Sequence, residues 1–178
     1  ENGNPIFDID CPEYTIVTPT GEEIVVVDTQ LSANDPVKRK RQAESVAHIY
    51  QRLVSKGKQH MVVCGTLNDA SFSDSLSPLL RGTDLRDVSK HMDFAITKEN
   101  GREGTYFSLG AYRQGVNIKQ RDYLMFCPKL FSKLVACGLD RKGVWQERRP
   151  NWTLFPSIKE KRHSASEHPI IWANLVGL

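Results

Sequence analysis

The chain of 178 residues is long enough to form one globular domain with its own apolar core. Apolar residues make up 39% of the sequence and charged residues 25%, which is typical of globular proteins and excludes a disordered or fibrous chain. The formal net charge is only +3, so charge alone does not indicate a nucleic-acid-binding protein. No apolar run is long enough to span a membrane.

The first third of the sequence predicts a hairpin followed by a helix. Two β-rich runs, 14–18 and 23–29, flank the turn signal Pro19-Thr20-Gly21-Glu22, and the second run is apolar on both faces, as expected of an inner strand. Asp35-Pro36 predicts a helix start, because aspartate caps free amides and proline suits the first turn. Apolar residues then recur at helical spacing up to Gly57, which predicts the helix end.

The remaining sequence alternates strand-like and helical segments. We predict a short helix over 73–80, long loops over 93–104 and 141–163, and strands over 60–64, 85–88, 118–127, 134–138 and 168–175. Strands that alternate with helices predict an α/β layered fold, formed here by a single domain over residues 1–178.

Basic residues cluster at 38–41, 141–149 and 159–162. Such runs are usually solvated faces of a helix or loop, and a phosphate-rich partner is the sharper alternative. We favour the solvated face for all three.

The four cysteines, Cys11, Cys64, Cys127 and Cys137, do not have the spacing of metal ligands. Cys64 and Cys127 lie in strand-like runs, where we expect buried thiols that act as small apolar side chains. Free thiols favour a reducing compartment such as the cytoplasm.

Four polar stretches contain the candidate functional residues, and each lies at or near the end of a predicted strand: Asp28-Thr29-Gln30-Leu31, Gly65-Thr66-Leu67-Asn68-Asp69, Gln120-Arg121-Asp122-Tyr123 and Ser166-Glu167-His168-Pro169. Ligand sites in layered α/β folds gather at strand ends. Amides, carboxylates and one histidine suit a hard cation such as Mg²⁺ together with phosphate, rather than zinc.

These stretches, in this order, resemble the endonuclease/exonuclease/phosphatase superfamily, which includes metal-dependent nucleases and phosphodiesterases of the DNase I type. The similar motifs are (N/D)-T-x-L, G-x-x-N-D, x-D-Y and S-x-H, with Gly104-Thr105-Tyr106 between the second and third, and the resemblance covers residues 13–178. It implies a DNase I-like four-layer α/β sandwich whose site lies at one edge of two packed sheets.

The resemblance also implies a chemistry. A divalent metal (Mg²⁺, Mn²⁺ or Ca²⁺) neutralises phosphate charge, amide and carboxylate side chains orient a water molecule, and a histidine supports the charge that develops on phosphorus. The implied substrates are phosphate esters: nucleic acid, a phospholipid head group or a sugar phosphate.

Several positions depart from the family pattern. Gln30 replaces a histidine and cannot become a cation, and Thr66 replaces the aspartate that orients or activates the water. Glu167 replaces an aspartate and is the candidate metal ligand. Asn68, Asp122 and His168 retain the family residues, and we assign them, with Gln30 and Thr66, to the candidate catalytic site. For Asp69 we expect a turn or helix-capping role instead.

The family begins with a strand that carries an asparagine and a second that ends in a metal-binding glutamate, and nothing in residues 1–12 resembles either. We therefore expect an incomplete sandwich, whether the chain is a piece of a longer protein, has a partner that supplies the other half, or is naturally short. An incomplete sandwich exposes an apolar face, so we expect self-association or pairing with the other half.

Three functional hypotheses follow. The first is a metal-dependent phosphoesterase domain that is weakly active or inactive as this chain, because residues that act as a unit have been replaced. The alternative is a non-catalytic binding or scaffold module with a vestigial site. The third is activity on substrates that need only the retained groups.

Overall fold

This computed structural model describes residues 5–96, 120–145, 153–164, 166 and 168–178. The strands are β1 (Glu13–Val17), β2 (Glu23–Gln30), β3 (Met61–Thr66), β4 (Arg86–Asp87), β5 (Phe94–Ile96), β6 (Asp122–Phe126), β7 (Leu134–Asp140) and β8 (Ile170–Leu175). The α-helices are α1 (Pro36–Ser55), α2 (Ser77–Leu80) and α3 (Pro128–Phe131), and short 3₁₀ turns cover Asp74–Leu76, Val88–Lys90 and Lys161–His163.

The predicted hairpin and first helix are confirmed. β1 pairs antiparallel with β2, and β2 lies between β1 and β3 as an inner strand. The Asp35 carboxylate accepts the Val37 and Lys38 amides at 2.9 Å each, which satisfies two donors that a helix start leaves free. Gly57, with φ +74°, follows the helix end. Within the described part of the chain, no helix is both long and apolar enough to cross a membrane.

Two sheets face each other across a shared apolar core. The larger sheet has the order β1-β2-β3-β6-β4 and the smaller has the order β5-β7-β8. Apolar residues of α1, such as Val46 and Leu53, belong to the same buried cluster as Val27 and Val63 of the larger sheet. Ile171 and other β8 side chains pack against this cluster. The described residues therefore form an α/β fold with three layers: helices, the larger sheet and the smaller sheet.

Two local predictions differ from the structure. Phe94–Ile96 is a strand, although the polar stretch 93–104 predicts a loop; residues 97–104 lie outside the described part. This strand forms because its backbone pairs in parallel with β7, a partner about 40 residues away whose identity local sequence does not encode. The four-residue helix α3 is also absent from the prediction, because one helical turn leaves too short a pattern to recognise.

Candidate functional site

Strand pairing brings three of the four polar stretches to one edge of the larger sheet. β2 and β3 are parallel and end together, and β6 begins beside the end of β3. Gln30 is therefore the register partner of Thr66, and Thr66 is in turn the register partner of Asp122. These residues lie next to one another although up to 92 positions separate them in the sequence.

Asp122 is the centre of this row. Its side chain is only 13% exposed, and Thr66 Oγ1 donates to Asp122 Oδ1 over 2.6 Å. His168 Nδ1 lies 2.9 Å from each oxygen of the same carboxylate. A carboxylate only accepts hydrogen bonds, so this contact assigns a hydrogen to Nδ1 and fixes the orientation of the ring.

The His168 side chain is 39% exposed, whereas its carboxylate partner is nearly buried. With Nδ1 turned to Asp122, Nε2 lies on the opposite side of the imidazole. A buried carboxylate that holds a partly exposed imidazole stabilises the ring when it carries positive charge. The Asp122–His168 pair can thus support negative charge on a ligand at the sheet edge.

Asn68 lies in the loop that follows β3, beside this pair. Its backbone is left-handed, with φ +60°, a conformation that asparagine adopts more easily than most residues. Its side-chain amide donates to the Leu31 carbonyl over 2.8 Å, and its backbone N–H points to the Arg121 carbonyl at 3.3 Å. Asn68 therefore joins the loops after β2 and β3, and a contact from the same amide hydrogen to phosphate requires the Leu31 bond to break.

Asp69 anchors the same loop, which agrees with its expected structural role. One carboxylate oxygen accepts the Ala70 amide, and the other accepts the hydroxyls of Ser73 and Ser75 at 2.7 and 3.0 Å. Arg39 Nη2 contacts that second oxygen at 2.8 Å. Burial alone would raise the pKa of Asp69, but these hydrogen bonds and the Arg39 charge together hold the pKa below its ordinary value.

The expected solvated face at 38–41 is wrong for Arg39, which is only 6% exposed. Arg39 Nη1 donates to the Ser32 and Ala33 carbonyls at 2.6 and 3.1 Å, so one guanidinium connects the chain after β2 with Asp69 after β3. A signal was present in the sequence, because Arg39 lies three, four and seven residues before the buried Gln42, Ala43 and Val46.

A cleft of about 190 Å³ opens beside the row and is lined in part by Asp28, Gln30 and Thr66. The Cys64 thiol, near Asp28 on the same sheet, is half-buried. Burial and the Asp28 charge raise the pKa of Cys64 to about 11. The thiol therefore stays protonated at neutral pH and is not a candidate nucleophile. All four cysteines are free; Cys127 is buried as expected, whereas Cys64 is only partly buried.

The described residues do not complete a divalent-metal site. Within 5–96, 120–145, 153–164, 166 and 168–178, no three His, Cys, Asp or Glu side chains lie close enough together to hold an ion. Glu167, the candidate metal ligand, lies outside the described residues, as does Gly104-Thr105-Tyr106. The Mg²⁺ implied by the sequence resemblance therefore has no assigned ligand set here.

Solved structures with the same architecture identify the fold. A mannosyl-6-phosphatase of Bacteroides thetaiotaomicron matches 89% of this chain and 53% of its own length, with a TM-score of 0.62 and 13% identity. An endonuclease/exonuclease/phosphatase of Bacteroides vulgatus matches 88% of this chain and 51% of its own length, with a TM-score of 0.56 and 15% identity. The chain has the endonuclease/exonuclease/phosphatase fold.

An AP endonuclease of Archaeoglobus fulgidus also shares this fold, with a TM-score of 0.54, 19% identity and coverage of 86% of this chain and 62% of its own. The chain thus spans about half the length of the two Bacteroides structures. No protein-family model matches the sequence, and no curated protein does.

Proposed function

We propose that this chain is a domain of the divalent-metal-dependent phosphoesterase class (nuclease, phosphodiesterase or phosphatase) that is weakly active or inactive as it stands. The observation that supports this most is the Asp122–His168 pair, with both carboxylate oxygens 2.9 Å from Nδ1. The pair lies where β3 ends and β6 begins, in an endonuclease/exonuclease/phosphatase fold. Both residues are among those that the sequence resemblance assigns to the candidate catalytic site.

The retained pair has a defined task in such a reaction. Asp122 orients the imidazole and stabilises its cationic form, so that His168 Nε2 donates a charge-assisted hydrogen bond to an oxygen of the phosphate ester. Such a bond favours the transition state when negative charge on that oxygen grows. Thr66 holds Asp122 in place through the 2.6 Å hydrogen bond.

We expect only weak activity because this arrangement lacks groups that the reaction would use. The Thr66 hydroxyl donates to Asp122, and a hydroxyl has too high a pKa to remove a proton from water at neutral pH. Gln30 offers only a neutral amide where a cation would interact about twice as strongly with phosphate. A bound divalent metal would supply phosphate neutralisation, but the described residues offer no complete ligand set for it.

The substrate class we propose is a phosphate ester, either a sugar phosphate or a nucleic acid. Two structures with this fold are named as a mannosyl-6-phosphatase and an AP endonuclease, which act on those two kinds of molecule. The cleft of about 190 Å³ is smaller than most small-molecule sites, which span roughly 300–1,000 Å³. The cleft therefore fits the phosphate group of a substrate, and the remainder of the substrate would lie outside the cleft.

Hydrolysis of p-nitrophenyl phosphate and its bis ester, with protein in excess over substrate, tests the proposal. We expect slow turnover that EDTA removes and that His168→Ala lowers by about 100-fold or more, the usual minimum for a general acid–base or charge-stabilising group. His48→Ala, at an exposed position on α1, is the control and keeps the wild-type rate. Measurable turnover that is equal in His168→Ala and His48→Ala contradicts the proposal.

The alternative is a non-catalytic binding or scaffold module. It is favoured by the substitutions at Gln30 and Thr66, which remove chemistry while the strand register around them is kept. The double variant Gln30→His with Thr66→Asp discriminates between the two. Increased metal-dependent turnover in a folded double variant supports the enzyme, whereas no turnover in either protein supports the module.

A further inference from the structure

We propose that the chain binds a small organic phosphate at a second site, in a cleft of about 460 Å³ between α2, β4 and α3. Three cationic side chains, Arg81, Arg86 and Lys90, line this cleft together with the apolar side chains of Leu80, Leu85 and Phe131. The inference does not depend on catalysis at the Asp122–His168 pair.

The cleft is separate from the candidate catalytic site. Arg86 is the register partner of Phe126, four residues along β6 from Asp122, which is a distance of about 13 Å at roughly 3.3 Å per residue. No residue lines both this cleft and the smaller cleft beside Gln30 and Thr66. The cationic cleft lies at the side of the larger sheet, where β4 is the edge strand.

The positive charge of the cleft is available to a ligand. Arg86 and Lys90 have no carboxylate within 4.0 Å among the described residues. Arg81 is engaged by the exposed Asp74 carboxylate at 3.2 Å and by the Ser77 hydroxyl at 3.1 Å, so it contributes less charge to the cleft. An anion that enters the cleft therefore meets two cations, Arg86 and Lys90, that no carboxylate of the described residues neutralises.

One carboxylate, Asp87, also lines the cleft, but other groups hold it. It accepts the Ser89 amide at 3.0 Å and the Gln120 side-chain amide at 2.7 Å. Arg86 and Lys90 therefore face a single lining carboxylate whose two oxygens already accept hydrogen bonds. The balance of charge in the cleft favours an anionic ligand.

The shape of the cleft indicates an anion with an apolar body. The Arg86 guanidinium carbon lies 5.7 Å from the centroid of the Phe131 ring, a cation–π contact that limits the positions of the side chain. A positioned guanidinium binds phosphate through two parallel hydrogen bonds. The volume is within the usual range for small-molecule ligands and exceeds the space that inorganic phosphate needs. Leu80, Leu85 and Phe131 then offer apolar surface to a ring, so a nucleoside monophosphate is a suitable probe.

Titration of the ¹⁵N-labelled chain with adenosine monophosphate, followed by amide chemical shifts, tests the site. We expect saturable shifts at Arg86, Lys90 and Phe131, and weaker binding of inorganic phosphate and of adenosine by about tenfold or more. Arg86→Gln and Lys90→Gln each raise the Kd by about tenfold, since each removes one charge-assisted contact.

Two control variants distinguish binding in this cleft from a general charge effect and from binding at the candidate catalytic site. Lys40→Gln removes one charge at an exposed position of α1 and leaves the Kd unchanged. His168→Ala can change binding only at the candidate catalytic site, so it leaves unchanged the Kd that is fitted from the shifts at Arg86, Lys90 and Phe131 alone. The proposal is overturned by shifts confined to the surroundings of His168, by equal Kd values for Arg86→Gln and Lys40→Gln, or by no saturation at millimolar adenosine monophosphate.

Discussion

Thr66 donates a hydrogen bond of 2.6 Å to Asp122, which joins the end of β3 to the start of β6. The sequence resemblance aligns Thr66 with an aspartate of the endonuclease/exonuclease/phosphatase motif. A hydroxyl complements the Asp122 carboxylate, whereas a second carboxylate at this distance repels it. Thr66 thus favours stability at the sheet edge and, under the proposed function, stands where catalysis would need a carboxylate, a conflict between stability and activity.

Thr66→Asp should therefore lower the free energy of unfolding at pH 7. We expect a loss of about 1–2 kcal/mol, equivalent to a shift of about one pKa unit in one of two carboxyls that interact. The loss should shrink as the pH falls through the carboxyl range, because protonation of either group ends the repulsion. Urea denaturation at several pH values measures it. Thr66→Asn, of similar size but neutral, is the control, and equal stability of both variants at pH 7 contradicts the prediction.

Asp69→Asn should destabilise the chain because it leaves the buried Arg39 guanidinium without its charged partner. The structure holds the pKa of Asp69 below its ordinary value, so its ionised form stabilises the fold above about pH 4, and this contribution is lost as the pH falls through the lowered value. We expect the free energy of unfolding to fall by roughly 2 kcal/mol at pH 7, and this loss to become smaller below about pH 4.

Denaturant unfolding of Asp69→Asn and of Asp74→Asn between pH 3 and pH 8 separates this contribution from general charge effects. Asp74 is 99% exposed, so its replacement should change the stability little at any pH. A difference in the free energy of unfolding between wild type and Asp69→Asn that stays constant from pH 3 to pH 8 would contradict this prediction.

Gly65→Ala should distort the end of β3 beside the candidate site, because the backbone there leaves no room for a Cβ. An added Cβ would lie 1.9 Å from the Thr29 carbonyl oxygen, and the φ of +127° is itself strained for other residues. Gly57 also has a positive φ, +74°, but an added Cβ meets nothing within 4 Å there. We expect a loss of about 1 kcal/mol for Gly57→Ala and at least about 3 kcal/mol for Gly65→Ala. Similar thermal stability of the two variants would contradict this account.

The sequence predicted elements whose signals are local. Asp35-Pro36 predicts a helix start because the capping carboxylate and the amides it accepts lie within three residues. Burial of Arg39 was missed, because the run Lys38-Arg39-Lys40-Arg41 has the composition of a solvated face and the partner Asp69 lies 30 residues away. Strand β5 was missed for the same reason, since its partner is distant in sequence.

For the candidate site, too, the sequence predicts the local elements but not the contacts between distant residues. Short apolar runs predict the strands β2, β3 and β6, but not that they pair in an order that brings Gln30, Thr66 and Asp122 together. That expectation came from the order of the motifs and their resemblance to a family. The contact between Asp122 and His168 spans 46 residues, and no periodicity in the sequence encodes it.

The exposed face of β1 predicts self-association. Tyr14 pairs with Val26 and Ile16 with Ile24, so these residues share one face, on which Tyr14 and Ile16 are each 53% exposed. An exposed apolar face favours association, so a second copy of the chain is the partner we expect in a purified sample. Sedimentation should show reversible dimers that Tyr14→Lys with Ile16→Lys removes and Val17→Lys, on the opposite face, does not. Sedimentation of a monomer at every protein concentration would contradict the predicted self-association.

The proposed function depends on Asp122 and His168 being part of a phosphate site. The most direct test is titration of the folded chain with methyl phosphate, with and without Mg²⁺, while the ring signals of His168 are followed by NMR. We predict a saturable shift of the His168 ring signals that Asp122→Asn abolishes and Arg86→Gln leaves intact. His168 signals that do not move as methyl phosphate is added, or that move equally in Asp122→Asn, would contradict the claim.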